Sequence, residues 1–137
     1  MRYLVDANVL SETTRQAPSP EVIDWLRRHE EELAVDPIIL GELHFGLLLL
    51  PRGKRRERLE RWFGDAVKSL PCLSWTAQTG LVWSDLLAAL RKRGQAMPIK
   101  DSLIAASALE HDLTLVTRNV RDFTASGVRL FDPFAVP

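Results

Sequence analysis

Asp6, Glu42 and Asp101 are the residues of this sequence whose type and setting could do chemistry together. Asp6 directly follows the apolar run Tyr3-Leu4-Val5, so an extended run would put its carboxylate at a strand end. Glu42 lies on a stretch opened by Pro37, and its neighbours at helical spacing are Ile38, Ile39, Phe45 and Gly46. A carboxylate on such a surface either reaches water or is held by a partner, because an unpaired buried carboxylate would protonate instead. Asp101 opens Ser102-Leu103-Ile104-Ala105-Ala106. Each acid alone also has a structural reading. Asp6 or Asn8 could cap a following helix, Glu42 and His44 could share an exposed stripe, and Asp101 could cap its helix with Lys100 as an ion-pair partner. Brought together, the carboxylates repel each other unless a hard cation neutralises them. Magnesium takes oxygen ligands and keeps several waters, so a few carboxylates suffice. Such an ion activates water and neutralises charge on a phosphodiester under attack.

The elements that must position these acids are legible as alternating patterns. Tyr3-Leu4-Val5, Leu33-Ala34-Val35 and Leu113-Thr114-Leu115-Val116 read as strands, with weaker candidates at Cys72-Leu73-Ser74-Trp75 and Val128-Arg129-Leu130-Phe131. Helical spacing runs from Glu21 to Glu32 after Pro20, from Pro37 through Leu47, from Thr76 to Arg93 with Gly94 as C-cap, and from Ser102 to His111. Strands alternating with helices predict an α/β fold, a sandwich around a mainly parallel central sheet flanked by helices. Ligands of such sheets bind beyond the carboxyl ends of the strands. Asp6 follows one strand and Thr117-Arg118-Asn119 follows another, so the two ends could share one crevice.

The bulk composition sets limits. A chain of 137 residues with 46% hydrophobic and 26% charged residues is expected to form a single domain, 1–137, with a real core. Lys+Arg and Asp+Glu both number 18, so global charge gives no support to a polyanionic partner, and any phosphate contact must come from a local patch or a metal. The single Cys72 excludes an intrachain disulfide and a cysteine-based zinc site. The N-terminus meets Asp6 before an apolar leader could develop, and Leu47-Leu48-Leu49-Leu50 is far short of a membrane span. A soluble, cytoplasmic protein is expected.

Four segments then resemble a known pattern. Val5-Asp6-Ala7-Asn8-Val9-Leu10-Ser11-Glu12, Leu40-Gly41-Glu42-Leu43-His44-Phe45-Gly46, Asp101-Ser102-Leu103-Ile104-Ala105-Ala106-Ser107-Ala108 and Leu115-Val116-Thr117-Arg118-Asn119-Val120-Arg121-Asp122-Phe123 resemble, in order, the motifs of PIN-domain nucleases. Within that family the chain is similar to the VapC-type toxins of bacterial toxin–antitoxin pairs. The resemblance implies a PIN-like three-layer sandwich, a metal-dependent endoribonuclease cleaving RNA phosphodiesters with an activated water, a cognate antitoxin partner, and a homodimer or toxin–antitoxin hetero-oligomer. It carries catalytic roles onto Asp6, Glu42, Asp101 and Asn119, with Asp6 and Asp101 as direct Mg2+ ligands and Glu42 beside them; Mn2+ would also serve. The family's fourth acidic position falls on Asn119, whose amide supplies no charge. Its carbonyl could orient a metal-bound water, or Asp122 could supply the carboxylate. Thr117 would hydrogen-bond within the site.

The remaining features divide between function and packing. Arg52, Lys54, Arg55, Arg56, Arg58 and Arg61 read either as an RNA-backbone track or as a solvated face laced by Glu57 and Glu60. Leu47 to Leu50 with Trp62 and Phe63 exceed what one helix face buries, and the resemblance suggests a groove there for an antitoxin segment. His29, His44 and His111 lack the spacing of a metal pair. Three other readings compete: a phosphohydrolase of the haloacid-dehalogenase type, a receiver-like domain, and a non-catalytic PIN-like RNA-binding module. Asn8 stands where the first needs a second Asp, and the paired acids that the second needs are not evident. Asn119 leaves the third open.

Overall fold

The computed structural model describes residues 1–135; the last two residues of the expected 1–137 domain lie outside that range. Four short strands, β1 (Tyr3–Val5), β2 (Leu33–Ala34), β3 (Thr114–Val116) and β4 (Leu130–Phe131), form one all-parallel sheet in the order β2-β1-β3-β4. In register, Leu4 lies beside Ala34 on one side and Leu115 on the other, and Val116 lies beside Phe131. Tyr3, Leu4 and Val5 are all buried. Because successive side chains of a strand point to opposite faces, both faces of the sheet must be covered. The covering residues include Val22, Trp25, Ile39, Leu43, Leu86, Leu90, Ile104 and Ala105, which join the strand side chains in a single core.

The helices are α1 (Ala7–Leu10), α2 (Pro20–Arg28), α3 (Pro37–Leu48), α4 (Lys54–Trp62), α5 (Ala77–Lys92), α6 (Ile99–Glu110) and α7 (Val120–Phe123). Their starts follow the chemistry of exposed N–H groups. Ser19 accepts from Val22 N, Asp36 accepts from Ile39 N at 2.8 Å, and Thr76 and Thr79 exchange bonds in a capping box. Gly94, at φ +67°, closes α5: its N–H donates to the Arg91 carbonyl while Gln95 N donates to that of Leu90.

The strands expected at 33–35, 113–116 and 128–131 are shorter than expected, and three further boundaries shift for a local reason. The helix expected over Glu21–Glu32 ends at Arg28 and gives way to a 3₁₀ turn over Glu30–Glu32. Three consecutive glutamates are unfavourable at the negative end of a helix. The candidate strand at 72–75 contributes one isolated bridge, Val35 to Cys72, because the capping box of α5 begins at Thr76. The helix expected from Ser102 begins at Ile99 after Pro98, so Asp101 sits inside the first turn and caps nothing.

Trp25 packs edge-on to Tyr3 with ring centroids 4.9 Å apart and stacks on His29 at 4.5 Å, which gives that histidine a packing role. Among the described residues no helix is long and apolar enough to cross a membrane. Leu115 is fully buried in the centre of the sheet. Replacing it with alanine should cost about 2–5 kcal/mol, read as a lower urea midpoint with an unchanged m-value.

Candidate active site

The sheet order places the site. From β1 the chain first adds β2 on one side and later returns to add β3 on the other, so the direction reverses between β1 and β3. At such a reversal the connections diverge and leave a crevice beyond the strand ends. Asp6 leaves β1 into that crevice and Thr117 leaves β3 beside it, as expected for two strand ends sharing one site.

Asp6 caps α1 and also faces the crevice. Its Oδ1 accepts from Ala7 N at 2.8 Å and its Oδ2 accepts from the fully buried Thr117 hydroxyl at 2.8 Å. Thr117 Oγ1 in turn accepts from Asn119 N at 3.0 Å, so the turn after β3 is tied to the carboxylate through one hydroxyl. Asn8, read from sequence only as a possible cap, bridges the two strand ends. Its amide donates to Asp6 Oδ2 at 3.4 Å, and its carbonyl accepts from Arg118 N at 3.1 Å. Its signal was its place two residues after Asp6, but the Arg118 contact spans the chain.

Glu42 comes from α3 and Asp101 from α6, and both fall within electrostatic reach of Asp6 and of each other. Burial is the first cause pushing all three carboxyls above their ordinary range; repulsion from Asp6 and Asp101 adds to it at Glu42, and repulsion from Asp6 at Asp101. Asp122 on α7 also raises Asp6 and Asp101 by repulsion, so the segment after Asn119 does coil and brings a fourth carboxylate toward the cluster. Asn119 is exposed, and its backbone rather than its amide makes the contact with Thr117. Lys100 pairs with Glu42 Oε2 at 3.1 Å instead of serving Asp101 as a simple ion-pair partner.

Sequence reading missed Asp36 and Ser107. Asp36 is fully buried, caps α3, and accepts from Ser107 Oγ of α6 at 2.8 Å. It therefore clamps the helix that carries Glu42 to the helix that carries Asp101. The Asp-Pro pair could have revealed the cap, but nothing local points to a partner 71 residues away. A second tie orders the start of α6, where Ser102 Oγ accepts from Trp83 Nε1 of α5 at 2.9 Å and donates to the Ile99 carbonyl.

Whether a cation suits this site can be read from its donors. They are carboxylate oxygens, the ligands of hard cations. Glu42 Oε1 is buried with no hydrogen-bond partner, an orphan that a cation or its water would satisfy. Among the described residues no three Asp, Glu, His or Cys side chains close around a point by themselves. A cation held here would therefore have to draw part of its coordination from water or from a bound ligand.

Glu42 also lines a groove of about 310 Å³ among α1, α3 and α4, whose other walls include Asn8, Leu43, Leu47, Leu50, Leu59 and Trp62. Leu48 and Leu49 lie exposed outside it. Of the basic cluster, Arg56 is held by Glu60 at 3.0 Å and by the Leu50 carbonyl, while Arg55 lines the groove.

An acid crevice at the reversal of a parallel sheet defines the class. The chain matches the PIN domain over residues 3–125 and belongs to that family. The plasmid stability protein StbB of Pseudomonas syringae pv. tomato is 35% identical, over 96% of this chain and 97% of its own. The VapC ribonuclease Y4jK of Sinorhizobium fredii is 30% identical over 96% of each, and the toxin FitB of Neisseria gonorrhoeae 29% identical over 96% and 97%. A chain in the structure of FitAB bound to an IR36 DNA fragment superposes with a TM-score of 0.91 at 27% identity, covering 98% of this chain and 97% of that one.

The raised carboxyl of Asp36 makes a prediction whose sign is fixed. Its folded-state pKa lies above its unfolded value because of burial, so the folded state holds the proton more tightly. Stability from this group is complete below the ordinary carboxylate value and is lost as pH rises through the raised one. The isosteric Asp36→Asn protein lacks that loss. Thermal melts of metal-free protein from about pH 4 to 8 should therefore show the variant gaining on the parent as pH rises.

Proposed function

We propose that this chain is the toxin of a type II toxin–antitoxin pair: one PIN domain acting as a metal-dependent endoribonuclease at Asp6, Glu42 and Asp101. The observation that carries the reading is the convergence of these acids at the sheet reversal, with an unpartnered buried oxygen on Glu42. Asp6 and Asp101 would hold Mg2+, or Mn2+ in its place, with Glu42 beside them. The ion would supply Lewis-acid activation of a water and neutralisation of phosphate charge. Thr117 and Ala7 N hold Asp6 in one orientation, so its carboxylate needs no rearrangement to serve as a ligand. Asp122 is our choice for the fourth acidic group, supported by its repulsion of Asp6 and Asp101. The Asn119 backbone then serves to fix Thr117. In-line hydrolysis would leave a 5′-phosphate and a 3′-hydroxyl.

The DNA fragment bound in the FitAB structure and the similarity to the toxin FitB support a DNA-binding antitoxin as partner. The groove lined by α1, α3 and α4 is the surface we assign to it, because its walls are mostly apolar and include Glu42 and Asn8 of the acid site.

End-labelled RNA incubated with purified protein tests the reading. Cleavage should require divalent metal, stop with EDTA, and fall by at least about 100-fold in Asp6→Asn and in Asp101→Ala while both still melt cooperatively. Parent-like, metal-independent cutting by Asp6→Asn would sink it. For the partner, Trp62→Ala should weaken antitoxin binding by about ten-fold or more in titration calorimetry and leave RNA cleavage intact.

A further inference from the structure

Lys100 stands in the first turn of α6, one residue before Asp101, and reaches across to α3. Its ammonium donates to Glu42 Oε2 at 3.1 Å, from a side chain 56% exposed to one 25% exposed. An exposed lysine has many favourable positions in water and gives up side-chain entropy to hold one. What fixes this one is the surrounding charge: besides Glu42, both Asp101 and Asp6 act on it. When ionised, Asp6, Glu42, Asp101 and Asp122 sum to −4, and the lysine reduces the local total to −3. Glu42 thus has one oxygen on the ammonium and the other without a partner.

We infer that Lys100 is a built-in counter-cation of the carboxylate site: it holds the acids together in the metal-free protein and opposes the divalent ion that enters. This rests on the metal-dependent reading above and adds to it a residue that sets how tightly the ion binds. Two consequences follow from Coulomb's law. Without the lysine charge, the acids repel each other unrelieved, so the metal-free fold loses stability. A divalent ion arriving at the same site meets a more negative potential, so it binds more tightly. The two effects have opposite signs, which a residue that merely shaped the pocket would not produce. Loss of shape would weaken metal binding and stability alike.

The test is Mn2+ binding to the full chain, followed by electron paramagnetic resonance of the free ion, together with thermal melts in EDTA. Lys100→Met should bind Mn2+ about ten-fold more tightly than the parent at low salt and melt at a lower temperature without metal. The affinity gap should narrow toward about 1 M KCl, where the screening length is only about 3 Å. Lys100→Arg keeps the charge and should behave as the parent, as should Lys92→Met at the exposed end of α5. If Lys100→Met does not fold, Lys100→Gln removes the charge while keeping a hydrogen-bond donor, and the same gain in affinity is expected. Equal or weaker Mn2+ binding by the uncharged variant, with a parent that binds, overturns the counter-cation alone. A parent that binds no Mn2+, or whose binding survives in Asp6→Asn, overturns the metal-site reading and this inference with it.

Discussion

Carboxylates from the end of β1 and from α3, α6 and α7 are packed at one end of the sheet, and their burial beside one another is the constraint around which the rest of the molecule is arranged. Repulsion and desolvation both act against the ionised state, so the fold has to hold these groups by other means. Asp6 is fixed by a backbone N–H and a buried hydroxyl, and Glu42 by an ammonium. The supports behind them matter as much. Asp36 and Ser107 fasten α3 to α6, and Trp83 fastens the first turn of α6 to α5. Neither contact touches the crevice acids, yet both set the relative positions of the helices that carry them.

The same geometry explains how a chain of zero net charge can present a strongly negative centre. Acids are concentrated where the strand order reverses with Lys100 among them, while a run of arginines stands apart at the start of α4. A polyanion approaching such a crevice would be repelled unless positive charge were supplied locally. Arg55, lining the groove beside Glu42, is placed to give some of that charge, while Arg56 is already committed to Glu60.

Helix α3 joins two surfaces that would otherwise be separate. Leu43 and Leu47 recur at helical spacing and line the groove together with Leu50 beyond the helix end, and Glu42 of the same helix lines it too. The helix carries apolar residues on most sides, with Phe45 and Leu48 left exposed and Leu49 exposed just past its end. A segment bound along the groove would thereby abut the carboxylates without any change in the fold.

Much of this was readable from local chemistry. Asp6 after a three-residue apolar run, Pro37 at a helix start, and Gly94 past a helix end each follow from short-range sterics and hydrogen bonding, and the structure places them accordingly. The sequence also marked Asp6, Glu42 and Asp101 by their unusual settings, and the ordered motifs tied them to one family. Helix boundaries slipped where a local effect outweighed periodicity, as at Glu30–Glu32, and the strands came out shorter than their apolar runs. Pairing of distant residues was another matter. That Lys100 meets Glu42, that Asp36 meets Ser107, and that Asn8 spans to Arg118 are consequences of the strand order. Separations of 58, 71 and 110 residues leave no mark on periodicity or on neighbouring residue types. Local physics chose the elements and their ends. Only the packed sheet decided which charges would have to coexist.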